Sequence, residues 1–277
     1  MDKYKLKTTL GVGYSGEVIE VVDCYNQSFA LKKFPKKNAS QIKKYKKEVE
    51  IHSSLKHENI VKFIESIETE KEDFILMEKC EENLQEVLLV MKETVPEPEM
   101  MEIATAIKIF ENLCAAIFYM HKKGFVHRDI KPENLLKCYD PDGEIWKLCD
   151  FGFSDYSSKR FSKIKGTLEF ISPEAVIASD TDETYEGMPA DIWAMGVFLY
   201  ELLYLKSPFS DTASCRVYRK IRTGQFTFSG RDIGKKLRML IRSMLTLSPE
   251  NRVVIEVLYV NVISLSICQN TCRKLKK

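Results

Sequence analysis

The chain has 277 residues, which is enough to bury the core of one large domain or of two unequal lobes. Hydrophobic residues make up 44% of the sequence and charged residues 30%, as in soluble globular proteins. The net charge of +2 does not by itself indicate a nucleic-acid or membrane partner, and we expect neither.

We expect neither a targeting signal nor a metal site built from cysteine or histidine. No N-terminal segment resembles a signal peptide, and we expect no apolar run able to cross a bilayer. The eight cysteines are scattered without a C-x-x-C pair, which argues against a zinc site. We therefore expect reduced thiols and an intracellular location, either cytoplasmic or nuclear.

Five short strands are predicted in the first part of the chain. Their segments are rich in Val, Ile and Phe and are bounded by turn residues. The first begins near Tyr4, and the others comprise residues 17–22, 28–34, 61–67 and 74–77, with a turn predicted over 23–27.

A glycine-rich turn joins the first two strands. Gly11, Gly13 and Gly16 have the spacing G-x-G-x-x-G, and glycine lets backbone amides approach phosphate oxygens. The pattern is weak alone, because ordinary hairpins also contain it. Here a strand follows the turn and Val18 lies two residues beyond the last glycine, whereas a helix follows in the dinucleotide-binding fingerprint.

Two adjacent lysines lie in the third predicted strand. Because side chains alternate along a strand, Ala30 and Lys32 share one face and Lys33 lies on the other. We predict that Lys32 points inward. The alternative is that both lysines are solvated at the surface.

Three helices are predicted next. The first covers residues 40–55, where apolar residues recur at helical spacing and a run of lysines predicts a solvated face. The second covers 84–91 and is followed by a break at 95–98. The third covers 100–122, carries a continuous apolar stripe and ends before Gly124.

A loop dense in polar residues follows, with the sequence F-V-H-R-D-I-K-P-E-N-L-L over residues 125–136. Asp129, Lys131 and Asn134 occur within six positions, between apolar residues that can anchor the loop. The tripeptide D-F-G begins at Asp150, sixteen positions after Asn134 (150 − 134), behind a strand-like segment. This concentration of polar residues indicates a chemical role.

The last part of the chain predicts a packed helical region. Residues 166–174 have the sequence G-T-L-E-F-I-S-P-E, and a helix that is apolar on nearly every face begins at residue 190 and continues to 203. Further helices are predicted over 214–223 and 253–267. The basic residues 273–277 are expected to fray.

In this order the motifs resemble those of eukaryotic protein kinases of the serine/threonine type, in particular the calmodulin-dependent and Aurora-like branches. The resemblance covers residues 4–252. It implies an α+β, bilobal protein-kinase fold, with a small β-rich N-lobe containing one regulatory helix and a larger, mainly α-helical C-lobe. The implied divisions are a kinase domain over 1–262 (N-lobe 1–77, hinge 78–83, C-lobe 84–262) and a basic C-terminal tail over 263–277.

The resemblance also implies that the chain binds ATP and Mg²⁺ between the lobes. Val18 and Leu136 would enclose the adenine, and Lys32 would hold the α- and β-phosphates. Backbone groups of Glu78 and Cys80 would pair with the adenine. The full set implied to bind nucleotide is Leu10, Gly11, Gly13, Gly16, Val18, Ala30, Lys32, Met77, Glu78, Cys80 and Leu136.

Catalytic roles follow from the same resemblance. Asp129 would accept or orient the proton of the attacking hydroxyl, and Lys131 would neutralise the transferring phosphoryl group. Asn134 and Asp150 would bind Mg²⁺. Lysine at position 131, where tyrosine kinases have an alanine-containing loop, is typical of serine/threonine kinases.

One glutamate of the first helix is implied to orient Lys32. Glu48 and Glu50 compete for this role, and residues two apart on a helix point in different directions. Counting back from His57 in the family pattern selects Glu48.

The resemblance also implies two structural roles in the second part of the chain. Asp191 would brace the backbone of the polar loop, and Arg252 would pair with Glu174.

The resemblance places an activation segment between Gly152 and Pro173, and Arg128 marks kinases in which a bound phosphate orders this segment. The position that is usually phosphorylated in such kinases, three residues before Gly166, is occupied by Lys163 here. Our hypothesis is that Ser162 is the regulatory site, with Ser157 and Ser158 as further candidates. Ordering without any phosphate is an equal alternative.

The implied reaction is transfer of the ATP γ-phosphoryl group to a Ser or Thr hydroxyl of protein substrates. Glu133 lies where kinases that prefer basic residues before the acceptor have an acid, so basic substrates are expected. Tyr14 and Ser15, at the tip of the glycine-rich turn, are either inhibitory phosphorylation sites or solvated residues.

Two alternatives belong to other functional classes. A pseudokinase with this fold would be expected to lack Lys32, Asp129, Asn134 or Asp150, and the chain retains all four. A small-molecule kinase is disfavoured by the segment 166–174. The sequence gives no indication of the oligomeric state.

Overall fold

Five antiparallel strands form the sheet of the N-terminal lobe in the computed structural model, in the spatial order β1-β2-β3-β5-β4. They are β1 Lys5–Gly13, β2 Gly16–Val22, β3 Ser28–Pro35, β4 Phe63–Glu68 and β5 Glu72–Glu78. All four predicted strand ranges are confirmed to within two residues at each end. The structure describes residues 3–13, 16–94, 100–141 and 143–274, without the side chains of 94 and 269–274.

Asp23 holds the turn between β2 and β3. Its Oδ1 accepts hydrogen bonds from the N–H groups of Tyr25 and Gln27, each at 2.9 Å. Asn26 has a φ of 61°, in the left-handed region that asparagine tolerates better than most residues. The predicted turn is confirmed, and it brings β3 alongside β2.

Helix α1, Ala39–Ser54, packs on one face of this sheet. The side chain of Asn38 caps its N-terminus by accepting a hydrogen bond of 3.0 Å from the N–H of Gln41. Tyr45 packs with Phe34 of β3 in a buried cluster. The predicted helix is confirmed, with each end one residue earlier than expected.

Helices dominate the C-terminal lobe. They are α2 Leu84–Thr94, α3 Ile103–Lys122, α4 Pro173–Asp180, α5 Gly187–Tyr204, α6 Ser214–Thr223, α7 Gly234–Met244 and α8 Ile255–Lys274. Three small antiparallel strand pairs complete the lobe: β6 Phe125–Val126 with β9 Asp155–Tyr156, β7 Leu135–Asp140 with β8 Gly143–Leu148, and β10 Arg160–Phe161 with β11 Tyr185–Glu186. The predicted α+β architecture of two lobes is confirmed.

Helices α3 and α5 lie in the core of this lobe. Every residue of α5 from Asp191 to Tyr204 is buried, which confirms the prediction from its apolar faces. By length and composition alone α3 could cross a membrane, so our expectation that no segment could do so is wrong. Most of α3 is buried against the rest of the lobe, however, and core helices have the same composition.

Two helices were missed in the sequence, and a third is longer than expected. Helix α4 has only eight residues, too few for a clear periodicity. Helix α7 does carry an amphipathic pattern, with Leu237 and Ile241 among its buried residues. Helix α8 continues past the expected end at residue 267, to Lys274, and the expected fraying of the basic end stays a prediction. The domain division at 262 stays a prediction.

A bidentate ion pair ties α4 to the far end of the lobe. Arg252 donates to Glu174 through Nη1 and Nη2, at 2.7 and 3.0 Å. The guanidinium is almost fully buried and also bonds to the carbonyl of Pro189. This pair was predicted, and it is confirmed as a structural contact.

Candidate active site

A cavity of about 360 Å³ opens between the two lobes, within the size range of ligand-binding pockets. Strands β1 to β3 form its roof, the segment after β5 its back wall, and β7 its floor. Every residue predicted to bind nucleotide lines it, from Leu10 in β1 to Leu136 in β7. Glu48, Asn134 and Asp150 reach the same cavity.

The glycine-rich turn lies over this cavity. In the β1–β2 register Gly13 is opposite Gly16, which has a φ of 139°. A Cβ atom at Gly16 would lie 2.5 Å from the carbonyl oxygen of Lys33, so no larger residue fits there. Tyr14 and Ser15, the candidate inhibitory sites, lie outside the described residues.

Lys32 is the buried member of the lysine pair. Its Nζ lies 2.5 Å from Oε1 of Glu48 and 2.8 Å from Oδ1 of Asp150. Burial alone would lower the pKa of the Lys32 ammonium, but the two carboxylates outweigh this effect and raise it. Lys33, on the other face of β3, pairs with Glu72 instead.

The two candidate glutamates of α1 have different surroundings. Glu48 is 2% exposed and reaches Lys32 from the buried face of the helix. Glu50 lies on an exposed face, where it accepts a hydrogen bond from the hydroxyl of Tyr156. Only Glu48 therefore lies beside Lys32.

Asp191 of α5 holds the backbone of the polar loop. Its carboxylate accepts hydrogen bonds from the N–H groups of His127 and Arg128, both at 2.8 Å, and from His121 at 3.0 Å. Arg128 has a φ of 69°, a conformation that costs free energy and is maintained by these bonds. The predicted bracing of this loop by Asp191 is confirmed.

Asp129 lies at the centre of three contacts. Asn134 donates through Nδ2 to the Asp129 carbonyl at 2.7 Å and to its Oδ2 at 3.0 Å. Lys131 Nζ lies 3.1 Å from the same Oδ2 and also donates to Thr167 at 3.2 Å. The carboxylate is thus fixed in position, with a cation beside it.

Phe151 connects α1 with the polar loop. Its ring is buried, with its centroid 4.6 Å from that of His52 and 5.6 Å from that of His127. Burial lowers the pKa of His52 to about 4, and Nε2 of the neutral ring contacts the carbonyl of Val61 at 2.7 Å. This role of His52 was not predicted from the sequence, where its only signal was its place four residues after Glu48.

Asp155 links α1 to the segment that follows the D-F-G tripeptide. Its carboxylate accepts from Lys47 at 2.9 Å and from Lys159 at 2.7 Å. Burial raises the pKa of Asp155, but the two lysines prevail and lower it to about 2. The prediction of a fully solvated lysine face is therefore wrong for Lys47, and Lys44 also lies against this segment, near the ring of Phe153.

Two aromatic residues contact Arg128. Its guanidinium carbon lies 3.6 Å from the ring centroid of Phe161, and Nη2 donates to the hydroxyl of Tyr185 at 3.3 Å. Tyr185 in turn donates to the carbonyl of Lys163 at 3.2 Å. Ser162 points to solvent. These contacts hold the Arg128 side chain in place.

Cys80 of the cavity wall and Cys138 of β7 differ from the prediction of reduced thiols. Cys80 and Cys138 form a disulfide, with Cα atoms 5.0 Å apart. They meet because backbone hydrogen bonds of 2.9 Å place the hinge beside Lys137 of β7, a contact that sequence spacing does not reveal. Cys149 is a free thiol whose pKa is raised by burial, which favours the unreactive protonated form.

The residues present fit ATP and Mg²⁺. Apolar side chains of both lobes, including Val18, Ala30 and Leu136, enclose one end of the cavity. Lys32 supplies an ammonium group at the other end, suited to phosphate. Asn134 and Asp150 supply the hard oxygen donors that Mg²⁺ prefers, and Mg²⁺ typically combines a few protein oxygens with substrate phosphates.

Comparisons with known proteins agree with this geometry. The family model described as "Protein kinase domain" matches residues 4–261. The cell cycle serine/threonine-protein kinase CDC5/MSD2 of Saccharomyces cerevisiae is 33% identical over 250 residues, covering 88% of this chain and 34% of the relative. The serine/threonine-protein kinase DCLK3 of Mus musculus is 34% identical over 260 residues, covering 89% of this chain and 31% of the relative.

A third relative is the probable serine/threonine-protein kinase PLK of Dictyostelium discoideum. It is 34% identical over 233 residues, which cover 82% of this chain and 22% of that protein. The chain thus spans about a third or less of the length of these curated relatives.

Proposed function

The chain belongs to the protein kinase domain family, and from this premise we propose that it is a serine/threonine protein kinase. It transfers the γ-phosphoryl group of ATP to a Ser or Thr hydroxyl of protein substrates. The observation that carries the proposal is the buried Lys32 ammonium between Glu48 and Asp150, in the cavity that Asn134 also lines.

The nucleotide occupies the cavity between the lobes. Val18 and Ala30 cover the adenine from above and Leu136 supports it from below, which their common apolar cluster supports. The side chain of Glu78 is bonded to Lys147, so its backbone is the part offered to the adenine, together with that of Cys80. Leu10, Gly11, Gly13, Gly16 and Met77 complete the enclosure.

Charge neutralisation is the main chemical task in phosphoryl transfer. Lys32 holds the α- and β-phosphates, and Glu48 keeps its ammonium directed into the cavity. Asn134 and Asp150 would hold Mg²⁺, which when bound neutralises phosphate oxygens. Lys131 neutralises charge on the transferring group.

Asp129 orients the substrate hydroxyl and receives its proton. Its 6% exposure and its bonds from Asn134 support this role, because they fix the carboxylate before the substrate arrives. Preorganised groups of this kind need little rearrangement when charge develops.

The proposal includes a preference for substrates that have basic residues before the acceptor Ser or Thr. Glu133 lies four residues after Asp129 in the same loop and is exposed, so it can meet a cationic side chain of a bound peptide. We further propose an intracellular location, cytoplasmic or nuclear. No nucleic-acid or membrane partner is part of the proposal.

Transfer of label from γ-labelled ATP to Ser and Thr peptides tests the proposed activity. We expect Asp129→Asn to slow transfer at least about a hundredfold while nucleotide binding persists. We expect Asp150→Ala to abolish transfer and to weaken Mg²⁺-dependent nucleotide binding. Asp182→Asn is the matched control, because Asp182 is exposed and has no polar partner among the described residues.

Two outcomes would contradict the proposal in different ways. Nucleotide binding by the wild type without any transfer would indicate a pseudokinase. Transfer to small molecules but to no peptide or protein would indicate a small-molecule kinase.

A further inference from the structure

Ser172 occupies the N-cap position of α4 without capping the helix. Serine at this position usually accepts a hydrogen bond from a backbone N–H of the first turn, but the Ser172 side chain makes no such bond. The residue is 2% exposed, and its Oγ has no hydrogen-bond partner among the described residues. Because a buried hydroxyl without a partner costs free energy, this group indicates a binding site for a polar ligand.

Arg128 presents a second buried polar group of the same kind. Its Nη2 donates to the hydroxyl of Tyr185, and its guanidinium lies on the ring of Phe161. Its Nε is buried and has no acceptor within the described parts of the chain. Since a guanidinium nitrogen can only donate, the Nε–H group requires an acceptor.

Arg128 and Ser172 line the same small cavity, between the polar loop and the start of α4. Its volume is about 30 Å³. A bound water molecule needs roughly 10–15 Å³ of such space and two to four polar partners. Asp129, Thr167 and Asp191 also line the cavity, so it is polar as well as large enough for water.

The charges around this cavity favour a neutral ligand. The Arg128 guanidinium opposes a bound cation, and the carboxylates of Asp129 and Asp191 oppose a bound anion. Water can accept a hydrogen bond from Arg128 Nε, and it can donate to Ser172 Oγ or accept from it. One water molecule therefore satisfies both buried groups.

We propose that a bound water molecule bridges Arg128 Nε and Ser172 Oγ, and that Ser172 acts through this water as a positioning residue. The bridge joins the polar loop to the N-terminus of α4. Thr167 lies in the segment that leads to α4 and accepts a hydrogen bond of 3.2 Å from Lys131. The bridge holds this segment against the polar loop, and its effect on phosphoryl transfer rests on the proposed kinase function.

A crystal structure of the wild-type chain, at a resolution that shows ordered waters, tests the site itself. We expect a water molecule within about 2.7–3.2 Å of both Arg128 Nε and Ser172 Oγ. Crystals soaked in sodium bromide should show no anomalous signal in the cavity. A cavity without this water, or one that binds bromide, would overturn the proposal.

The kinetics of Ser172→Ala test the positioning role. Because one partner of the water is removed, we expect kcat for a protein substrate to fall about threefold to tenfold while KM for ATP stays unchanged. Ser172→Thr keeps the hydroxyl and should retain the wild-type kcat to within about twofold. Ser179→Ala is the matched control, because Ser179 lies on the same helix and bonds to the Val176 carbonyl within it, and we expect no change.

A double-mutant comparison separates this role from a merely structural one. Arg128→Lys removes the Nε–H group, so Ser172→Ala should have no further effect on kcat in that background. An equal fall in both backgrounds, or an unchanged kcat in Ser172→Ala, would overturn the positioning role while leaving the kinase function intact. A wild-type protein that binds the water but phosphorylates no protein substrate would instead overturn the proposed function, and the effect on transfer with it.

Discussion

Lys32 shows how strongly a single buried charge depends on its partners. Removing an ammonium from water costs several kcal/mol, and only close carboxylates offset that cost. Glu48 and Asp150 do so from different lobes. Because Oε2 of Glu48 has no partner among the described residues, the position of this carboxylate depends largely on Lys32.

Exchange of Glu48 for glutamine tests which helix residue orients Lys32. We expect Glu48→Gln to lower kcat/KM for ATP on the order of tenfold to a hundredfold, since a misplaced Lys32 no longer aligns the phosphates. Glu50→Gln changes the same chemistry two positions away on an exposed face and should have little effect. A larger loss in Glu50→Gln would assign the role to the other glutamate.

His52 gives the fold a dependence on pH. Its pKa is about 4 in the folded chain against 6.5 ordinarily, so between these values the unfolded chain binds a proton that the folded chain does not. The contribution of the neutral His52 ring to the free energy of unfolding is therefore fully present above pH 6.5. It is lost as the pH falls towards 4, and the loss is at most about 3 kcal/mol.

Urea unfolding at pH 7 and pH 5 measures this effect, with His52→Phe as the comparison. The variant keeps an aromatic ring beside Phe151 but has no titrating group. We expect a smaller loss of stability on acidification in His52→Phe than in the wild type. An equal loss in both proteins would assign the pH dependence to other groups.

At the residue scale, the sequence was sufficient to predict residues that lie in long motifs. Lys32, Asn134 and Asp150 were predicted from motif spacing, and the structure brings them to one cavity. Contacts between distant segments could not be predicted in this way. Lys47 and Asp155 are 108 positions apart and meet only because α1 docks against the C-terminal lobe.

The activation segment is the element whose order the structure explains most directly. Strands β10 and β11 pair Phe161 with Tyr185, and the ring of Phe161 and the hydroxyl of Tyr185 both contact Arg128. Asp155 anchors the start of the segment to α1 through Lys47. These contacts favour ordering without a phosphate over the hypothesis of regulation at Ser162.

Hydrogen exchange of residues 160–170 tests this interpretation. Phe161→Leu keeps an apolar side chain but removes the ring beneath Arg128, an interaction of about 1 kcal/mol. We expect amide exchange in the segment to become about fivefold faster, as an opening free energy lowered by that amount requires. Ser162→Ala is the control and should match the wild type in exchange and in activity.

Mass spectrometry of the active enzyme is a second test of ordering without a phosphate. Activity that appears only when Ser162, Ser157 or Ser158 is phosphorylated would contradict ordering by aromatic contacts alone. An unmodified and active enzyme would agree with it.

Helices and strands were predictable where their periodicity extended over enough residues. The predicted range of α6 is confirmed at both ends, whereas the eight residues of α4 gave no usable pattern. Strands of two residues, such as β10 and β11, exist only because the chain brings them together. Their sequence alone carries almost no signal.

At the scale of the whole molecule, neither lobe contains a complete site. The N-terminal lobe supplies Lys32, Glu48 and the glycine-rich turn, and the C-terminal lobe supplies Asp129, Asn134 and Asp150. Phe151 and the ion pairs of Asp150 and Asp155 hold the lobes in the arrangement that closes the cavity. The proposed activity therefore depends on the relative position of the lobes.

A crystal structure of the protein with Mg²⁺ and a non-hydrolysable ATP analogue tests this convergence most directly. We expect the Lys32 ammonium to bond to α- or β-phosphate oxygens, with Asn134 and Asp150 on Mg²⁺ and the adenine between Val18 and Leu136. An analogue bound outside the cavity, or phosphates beyond hydrogen-bonding reach of Lys32 with no metal at Asp150, would contradict it.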